Sequence, residues 1–213
     1  MLNLYLKSLS YSVRLENRLN VINICNKHLF RSICLSPIEY ISFNNGIEEV
    51  NFDKKVEVLS NIYGIDLNET KIIKELYKRI DNRINRDYEI SISKINAEIQ
   101  NLLSLVSLDF DNNIEFNDSI DLPKILSSYS VKYSEVCNEN YLELLIKYIK
   151  NYAELFNVNI FITCGLSNLL ENEEMNVLNK ELLNIGAYIV DFVYSKERET
   201  FNILNVDSDF CIF

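Results

Sequence analysis

Three consecutive segments decide the fold: NVNIFITCGL (157–166), ENEEMNVLNKELLNI (171–185) and GAYIVDFVY (186–194). The first and third are runs of apolar and β-branched residues, which predict buried strands, whereas the second has the periodicity of an amphipathic helix. A strand–helix–strand unit of this kind predicts a parallel sheet in an α/β domain, the class to which many nucleotide-binding domains belong. The apolar segment NILNVDSDFCIF (202–213) follows it and predicts a further strand.

The first 64 residues predict the remainder of the sheet. LNLYLKSLSYSVRLE (2–16) predicts two short strands, LNVINIC (19–25) a central strand and KHLFRSICL (27–35) a helix. EYISFNNGIEEVNF (39–52) predicts a hairpin whose turn is Asn44-Asn45-Gly46. VEVLSNIYG (56–64) predicts a short helix that ends at Gly64.

From residue 66 the pattern changes to long helices. Apolar stripes at helical spacing predict one helix from residue 68 to about residue 85 and a second at 89–107, joined as an antiparallel hairpin. A short helix is predicted at 122–128 and a third long helix at 138–156. We therefore predict an α/β head made of residues 1–65 and 151–213, with an α-helical insertion at 66–150.

The charge of the chain limits its partners. The sequence has 31 acidic and 21 basic residues, which gives a net charge of −10. Residues 1–64 have a small basic excess, whereas residues 65–150 and 151–213 have an acidic excess. Diffuse nucleic-acid binding is disfavoured, because phosphate contacts need clustered Lys and Arg. The five cysteines form no CxxC pair, which favours reduced thiols in a cytosolic protein. With no signal-peptide pattern and no membrane-span pattern, we predict a cytoplasmic location and no membrane partner.

The strand at 19–25 lacks the loop that binds a nucleotide in P-loop proteins. It is followed by Cys25-Asn26-Lys27-His28-Leu29-Phe30, with neither the glycines that wrap a triphosphate nor a hydroxyl for magnesium. We expect a degenerate nucleotide site, no bound nucleotide and no enzyme activity. Lys27 and Arg31 remain candidates for an anion contact, with solvated helix charges as the alternative. His28 is the only histidine and has no partner for a triad or a zinc site.

Carboxylates are concentrated in the connector DFDNNIEFNDSIDLP (109–123). Closely spaced oxygen ligands on a loop suit Ca²⁺, although this spacing is not that of an EF-hand. The alternative is a solvated acidic loop, and the candidate metal ligands are Asp109, Asp111, Glu115, Asp118 and Asp121. Asp191 ends an apolar run where nucleotide hydrolases place a magnesium carboxylate, but without the loop a structural role is favoured.

Several basic residues are candidates for phosphate contacts. The helix at 68–86 carries six bases, but its acids lie three or four residues from several of them, which favours an ordinary charged face. Lys147 and Lys150 form a one-sided patch on the third long helix. The candidate DNA contacts are Lys27, Arg31, Lys54, Lys55, Lys132, Lys147 and Lys150.

The order of these segments resembles a known family. After LNVINIC and its glycine-free loop come NIYGIDLNET (61–70), the acidic connector, DLPKILSSYSVKY (121–133), a long helix, NIFITCGLSNLLENEEMNVL (159–178) and NILNVDSDFCIF. This arrangement resembles the short form of the Csn2 family, the accessory adaptation proteins of type II-A CRISPR systems. The similarity runs end to end and depends most on residues 54–68, 158–175 and 202–213.

The resemblance implies a fold and a function. It implies a P-loop-NTPase-like head with a degenerate nucleotide site, a helical leg, and a homotetrameric ring that Ca²⁺ stabilises. Lysines around the hole of the ring would hold double-stranded DNA without sequence preference and favour its ends. The protein would act in spacer acquisition beside the CRISPR integrase complex and the RNA-guided nuclease of the locus, and no catalysis is implied.

Two other functions remain open at the level of sequence. One is a catalytically dead α/β scaffold that binds only protein partners, and the other is a nucleotide-binding enzyme of a different type. An acidic protein is compatible with DNA binding if its bases face inward around a hole, because the local field acts on the phosphates.

Overall fold

The structure is a computed structural model that describes residues 2–7, 12–110, 114–134, 140–195 and 204–206. The chain divides into two compact units, one made of Met1–Leu67 and Val136–Phe213, and the other of Asn68–Glu135. The described strands are β1 (Leu2–Leu6), β2 (Ser12–Leu15), β3 (Leu19–Ile24), β4 (Ile41–Asn44), β5 (Val56–Val58), β6 (Ile160–Cys164), β7 (Tyr188–Val193) and β8 (Leu204–Val206).

The described helices alternate with these strands in the first unit and make up the second. They are α1 (Lys27–Leu35), α2 (Pro37–Tyr40), α3 (Phe52–Lys55), α4 (Thr70–Asp87), α5 (Glu89–Ser107), α6 (Leu122–Ser128), α7 (Tyr141–Phe156) and α8 (Asn172–Ile185), with a 3₁₀ helix at Leu166–Leu169. None of the helices in the described ranges is both long and apolar enough to cross a membrane.

A five-stranded parallel sheet forms the centre of the first unit, in the order β5-β6-β7-β3-β8. Nearly all residues of β6 and β7 are buried, as expected for a parallel sheet that is covered on both faces. The predicted strands at 157–166 and 186–194, the helix between them and the central strand at 19–25 are therefore confirmed. The prediction of an α/β fold is confirmed with them.

Sequence patterns explain how α8 begins and ends. Glu171 and Glu174 form a capping box, in which each side chain binds the backbone N–H at the other position. Gly186 ends the helix with a φ of 74°, a left-handed conformation that glycine adopts without steric cost. The capping box thus fixes the start of α8, and Gly186 lets the chain leave the helix before β7.

A second, antiparallel sheet lies in the same unit, in the order β2-β1-β4. Alternate residues of β1 and β4 are buried, so one face of this sheet contributes to the core. The two strands predicted in 2–16 are confirmed. The predicted hairpin at 39–52 is reduced to a turn and a single bridge between Asn44 and Glu49, because β4 pairs along its length with β1.

The prediction of a short helix at 56–64 is wrong. Val56–Val58 is the edge strand β5, which pairs in parallel with β6 through Val56 and Ile160. The helical turn lies just before it, at Phe52–Lys55, where the Asn51 side chain accepts a hydrogen bond from the Lys54 N–H. A strand of three residues is too short to show a period, and β6 decides its conformation.

The second unit consists of α4, α5 and α6, and the helices predicted at 68–85, 89–107 and 122–128 are confirmed. The Tyr77 hydroxyl donates to the carbonyl of Val131 at 3.0 Å, which ties α4 to the segment after α6. Tyr88 alone links α4 to α5. This link is shorter than the roughly two to five residues that join antiparallel helices, which favours a bend over the predicted hairpin.

The helix α7 belongs to the first unit, whereas the sequence prediction placed most of it in the insertion. Its buried face packs within the first unit, and its Lys150 ammonium lies 2.7 Å from the Glu181 carboxylate on α8. The second boundary between the units therefore lies near residue 135 rather than residue 150. The residues that α7 buries are Leu142, Leu145, Tyr148, Ile149, Tyr152 and Leu155.

Candidate functional site

The carboxyl edge of the parallel sheet is the candidate ligand site. Open parallel sheets bind ligands in the crevice beyond the carboxyl ends of their strands. Here β6, β7 and β3 lie side by side, and their carboxyl ends are followed by Gly165, Tyr194 and Cys25. Functional groups carried by these three connections therefore lie at one edge.

The amino terminus of α1 is capped by its own preceding residue. The Asn26 Oδ1 accepts hydrogen bonds from the backbone N–H groups of His28 at 3.0 Å and Leu29 at 3.1 Å. These are the groups that would bind a phosphate at a helix amino terminus. A ligand phosphate at this position would have to displace the Asn26 side chain.

Two basic side chains project from the first turns of α1. Lys27 and Arg31 lie one turn apart on the helix, and both are exposed. Neither side chain forms a hydrogen bond or an ion pair with the described residues, so both charges face solvent. His28 is exposed beside them.

Asp191, in contrast, is fully buried in β7 and has four hydrogen bonds. One carboxylate oxygen accepts from the Thr163 hydroxyl at 2.7 Å and the Leu166 N–H at 2.9 Å. The other accepts from the Ser167 N–H at 2.8 Å and the Ser167 hydroxyl at 2.6 Å. A carboxylate has about four acceptor positions, so these donors occupy its capacity, and the structural role predicted for Asp191 is confirmed.

Replacing Asp191 tests this role. We expect Asp191→Ala to lower the free energy of unfolding by roughly 3 kcal/mol or more, because the Leu166 and Ser167 N–H groups lose a buried acceptor. The matched variant Thr163→Val replaces one of the donors with a side chain of similar shape. It should lower the free energy of unfolding by about 1 kcal/mol. Urea unfolding followed by circular dichroism measures both, and equal stability of the two variants would contradict the assignment.

Two thiols meet near this carboxylate. Cys34 on α1 and Cys164 at the end of β6 are both free and partly buried, and they share a hydrogen bond. The hydrogen bond to Cys164 holds the pKa of Cys34 below its ordinary value, against burial and the charge of Asp191. The same bond raises the pKa of Cys164, and burial adds to that rise.

The pair therefore predicts unequal reactivity. Because the thiolate is the nucleophile, iodoacetamide at neutral pH should modify Cys34 before Cys164. The substitution Cys164→Ala removes the donor that stabilises the Cys34 thiolate, so the pH at which Cys34 is half-modified should rise. Mass spectrometry of digested protein measures both rates; faster modification of Cys164 would contradict the expected order. Cys25 is a third free thiol, and Cys137 and Cys211 lie outside the described residues.

The other candidate DNA contacts do not join Lys27 and Arg31 at the carboxyl edge. Lys54 and Lys55 line a cleft of about 420 Å³ at the opposite end of the sheet, beside the first residues of β6 and β7. Lys55 donates to the Asn157 carbonyl at 3.0 Å. The remaining candidates are exposed on α7 (Lys147 and Lys150) and in the second unit (Lys132). Their role in DNA binding stays a prediction.

The carboxylates proposed for calcium do not come together in the described residues. Asp109, Glu115 and Asp118 are exposed, and Asp111 lies outside the described residues. No three metal-ligating side chains in the described ranges form a group.

Asp121 has a hydrogen bond and an ion pair with Lys124. It caps α6 by accepting from the Lys124 N–H at 3.1 Å, and its second oxygen lies 3.0 Å from the Lys124 ammonium. The hydrogen bonds from Lys124 lower the pKa of Asp121. The described arrangement does not fit a calcium site.

The sequence interpretation missed the exposed face of α5. The helix has no buried residue, and its Asn96 and Gln100 side chains both donate to the Asp118 carbonyl. Its polar side is thus turned to the connector, while its apolar side faces solvent. We call this apolar side the α5 face; its exposed residues are Ile95, Ile99, Leu102, Leu103, Leu105 and Val106. The helical stripe was visible in the sequence, where it predicted an antiparallel hairpin with the preceding helix.

A comparison with protein families identifies the group to which this architecture belongs. The family model for the CRISPR-associated protein Cas_Csn2 matches residues 38–210, from α2 through β8. The chain belongs to the Csn2 family. The CRISPR-associated protein Csn2 of Streptococcus agalactiae is 21% identical over 154 residues, which cover 64% of this chain and 69% of the relative. The resemblance noted in the sequence is therefore confirmed.

Proposed function

We propose that the protein is a non-catalytic ring protein that binds double-stranded DNA, preferentially at its ends, and acts in CRISPR spacer acquisition. Membership of the Csn2 family carries this proposal, since it assigns the chain to a CRISPR system. The proposed partners are DNA ends, three further copies of the chain, the integrase complex and the RNA-guided nuclease of the locus.

The proposed head is P-loop-NTPase-like, with a degenerate nucleotide site. The capping of α1 by Asn26 supports it, because the N–H groups that would bind a phosphate already have an acceptor. The four hydrogen bonds of Asp191 support it as well, since they leave little capacity for a metal ligand.

Lys27 and Arg31 are the proposed DNA contacts at this edge. Both charges face solvent, so they are available to phosphates without loss of an ion pair to any residue that the structure describes. Contacts of this kind give affinity without sequence readout, and they weaken steeply as salt rises. Calcium remains a proposal for the ring, but the described carboxylates supply no three-ligand set, and DNA binding is not assigned to the metal.

DNA binding is tested with a linear duplex and a covalently closed circle of the same sequence. We expect the protein to retain the linear form preferentially at low salt. Replacing Lys27 and Arg31 with Gln should lower the slope of log affinity against log salt by roughly two, about one for each phosphate contact. Filter binding over a salt series measures both effects.

The control for this test is the variant Lys94→Gln/Lys180→Gln. Both lysines are exposed and form no hydrogen bond or ion pair with the described residues, so the variant makes the same change in net charge at unrelated positions. A parent protein that stays monomeric and binds no duplex at low salt would overturn the proposed function. If the two variants lose the same affinity for the duplex, Lys27 and Arg31 do not contact the DNA.

The α5 face favours self-association, and it is also the observation that favours the second candidate, a scaffold that binds only proteins. Apolar patches of this kind mark protein interaction sites when they are contiguous. A scaffold and a DNA-binding ring both require a partner on this face, but only the ring also requires the bases. Duplex binding by the parent protein therefore decides between them.

Self-association through α5 predicts a specific mutant. Leu102→Glu places a charge within the apolar surface and should shift the protein from tetramer to smaller species, because burying an unpaired carboxylate is costly. The matched variant Lys94→Glu places the same residue elsewhere on α5 and should leave the mass unchanged. Light scattering over a concentration series measures both; an unchanged tetramer in Leu102→Glu would place the interface elsewhere.

A further inference from the structure

The helix α4 concentrates positive charge in a chain whose net charge is −10. Six of the 21 basic residues lie within its 18 residues, and all six side chains are exposed. They lie opposite the apolar stripe of the helix, whose Ile72 is fully buried. We call this surface the α4 face; its bases are Lys71, Lys74, Lys78, Arg79, Arg83 and Arg86.

The acidic residues of α4 do not neutralise this surface. Asp87, at the end of the helix, lies 2.7 Å from the Arg86 and 3.5 Å from the Arg83 guanidinium, and both pairs are solvent-exposed. Glu75 lies 3.5 Å from the Lys78 ammonium. The helix contains three acids against six bases, and exposed ion pairs of this kind are weak.

Like charges lie next to one another along α4. Lys74 and Lys78 are four residues apart, as are Arg79 and Arg83, and like charges at this spacing repel. Glu75 offsets part of this repulsion, since it lies within four residues of Lys78 and Arg79. A polyanion bound along the helix would relieve the part that remains.

We propose that the α4 face binds the phosphate backbone of duplex DNA, as a contact separate from Lys27 and Arg31. This inference rests on the proposed function, since it assigns a second surface to the same ligand. From Lys71 to Arg86 the helix rises roughly 22 Å. At one phosphate per 3.4 Å of axis along each strand, this length matches about six phosphates.

An acidic protein is the other partner that a basic helix could take, and the composition of the α4 face disfavours it. Protein interfaces gain most of their energy from buried aromatic and apolar anchors surrounded by a polar rim. The solvent-facing side of α4 offers bases without such an anchor, whereas the exposed apolar surface of this unit lies on α5. Phosphates need only the bases.

The test uses the full chain with Lys74 and Lys78 replaced by Gln, and the variant Lys94→Gln/Lys180→Gln as the control. For a linear duplex of 30 base pairs, we expect the salt slope of the α4 variant to fall by roughly two. Its Kd at low salt should rise roughly ten-fold. The control should keep the parent's slope and Kd, and light scattering should give the same mass for all three proteins.

Each outcome separates the inference from the proposed function. A parent that binds no duplex overturns the proposed function and this inference together. A parent that binds, with an α4 variant of unchanged slope, overturns only the inference. An equal loss of affinity in the α4 variant and the control also overturns the inference, because the loss then follows from the change in net charge. A changed mass in the α4 variant assigns the face to protein contact and overturns DNA contact.

Discussion

The buried carboxylate of Asp191 is the interaction on which the edge of the parallel sheet depends. It joins β7 to Thr163 of β6 and to the backbone of the 3₁₀ helix that follows β6. A buried charge is tolerated only where hydrogen bonds replace its lost hydration. The donors of Ser167 complete that replacement, so the carboxylate is satisfied in the conformation that the connection after β6 adopts. The thiols of Cys34 and Cys164 lie within its electrostatic influence.

The same edge carries the two kinds of group that nucleotide hydrolases use, but here each has a partner within the chain. The two groups that a nucleotide hydrolase would direct at its ligand, a helix amino terminus and a strand carboxylate, both bind parts of the protein itself. Asn26 caps the helix, and Asp191 fastens the β6 connection. Among the described residues of this edge, Lys27 and Arg31 present positive charge to solvent. This division fits the family to which the chain belongs and the proposed binding of phosphates.

Much of the fold follows from the sequence because its segments carry strong local signals. The runs at 157–166 and 186–194 predicted β6 and β7, and the amphipathic periodicity of 171–185 predicted α8. The three residues of β5 carried no such signal, since only pairing with β6 makes them a strand. The predicted boundary at residue 150 placed most of α7 in the insertion, whereas packing places the whole helix in the first unit.

The candidate site was less predictable, because its geometry depends on residues far apart in sequence. Asp191 was noticed as a carboxylate at the end of an apolar run, but its donors lie 24 to 28 residues earlier. The stripe of α5 was also visible, yet periodicity reports only that a helix has an apolar side. It does not report whether that side is covered by the same chain. The clustered acids predicted a metal site, but the sequence did not reveal that Asp121 caps α6.

The α5 face also has a consequence for a newly synthesised chain. Leu102 is 60% exposed and Leu105 is 66% exposed, so an isolated copy presents aliphatic side chains to water. Such a surface binds other hydrophobic surfaces without selectivity while it stays uncovered. Dilution and slow synthesis would prolong that exposure, and chaperones and proteases act on exposed apolar segments of this kind. For the proposed assembly, the amount of usable protein in a cell would then depend on how quickly each chain meets another copy as well as on how stably it folds.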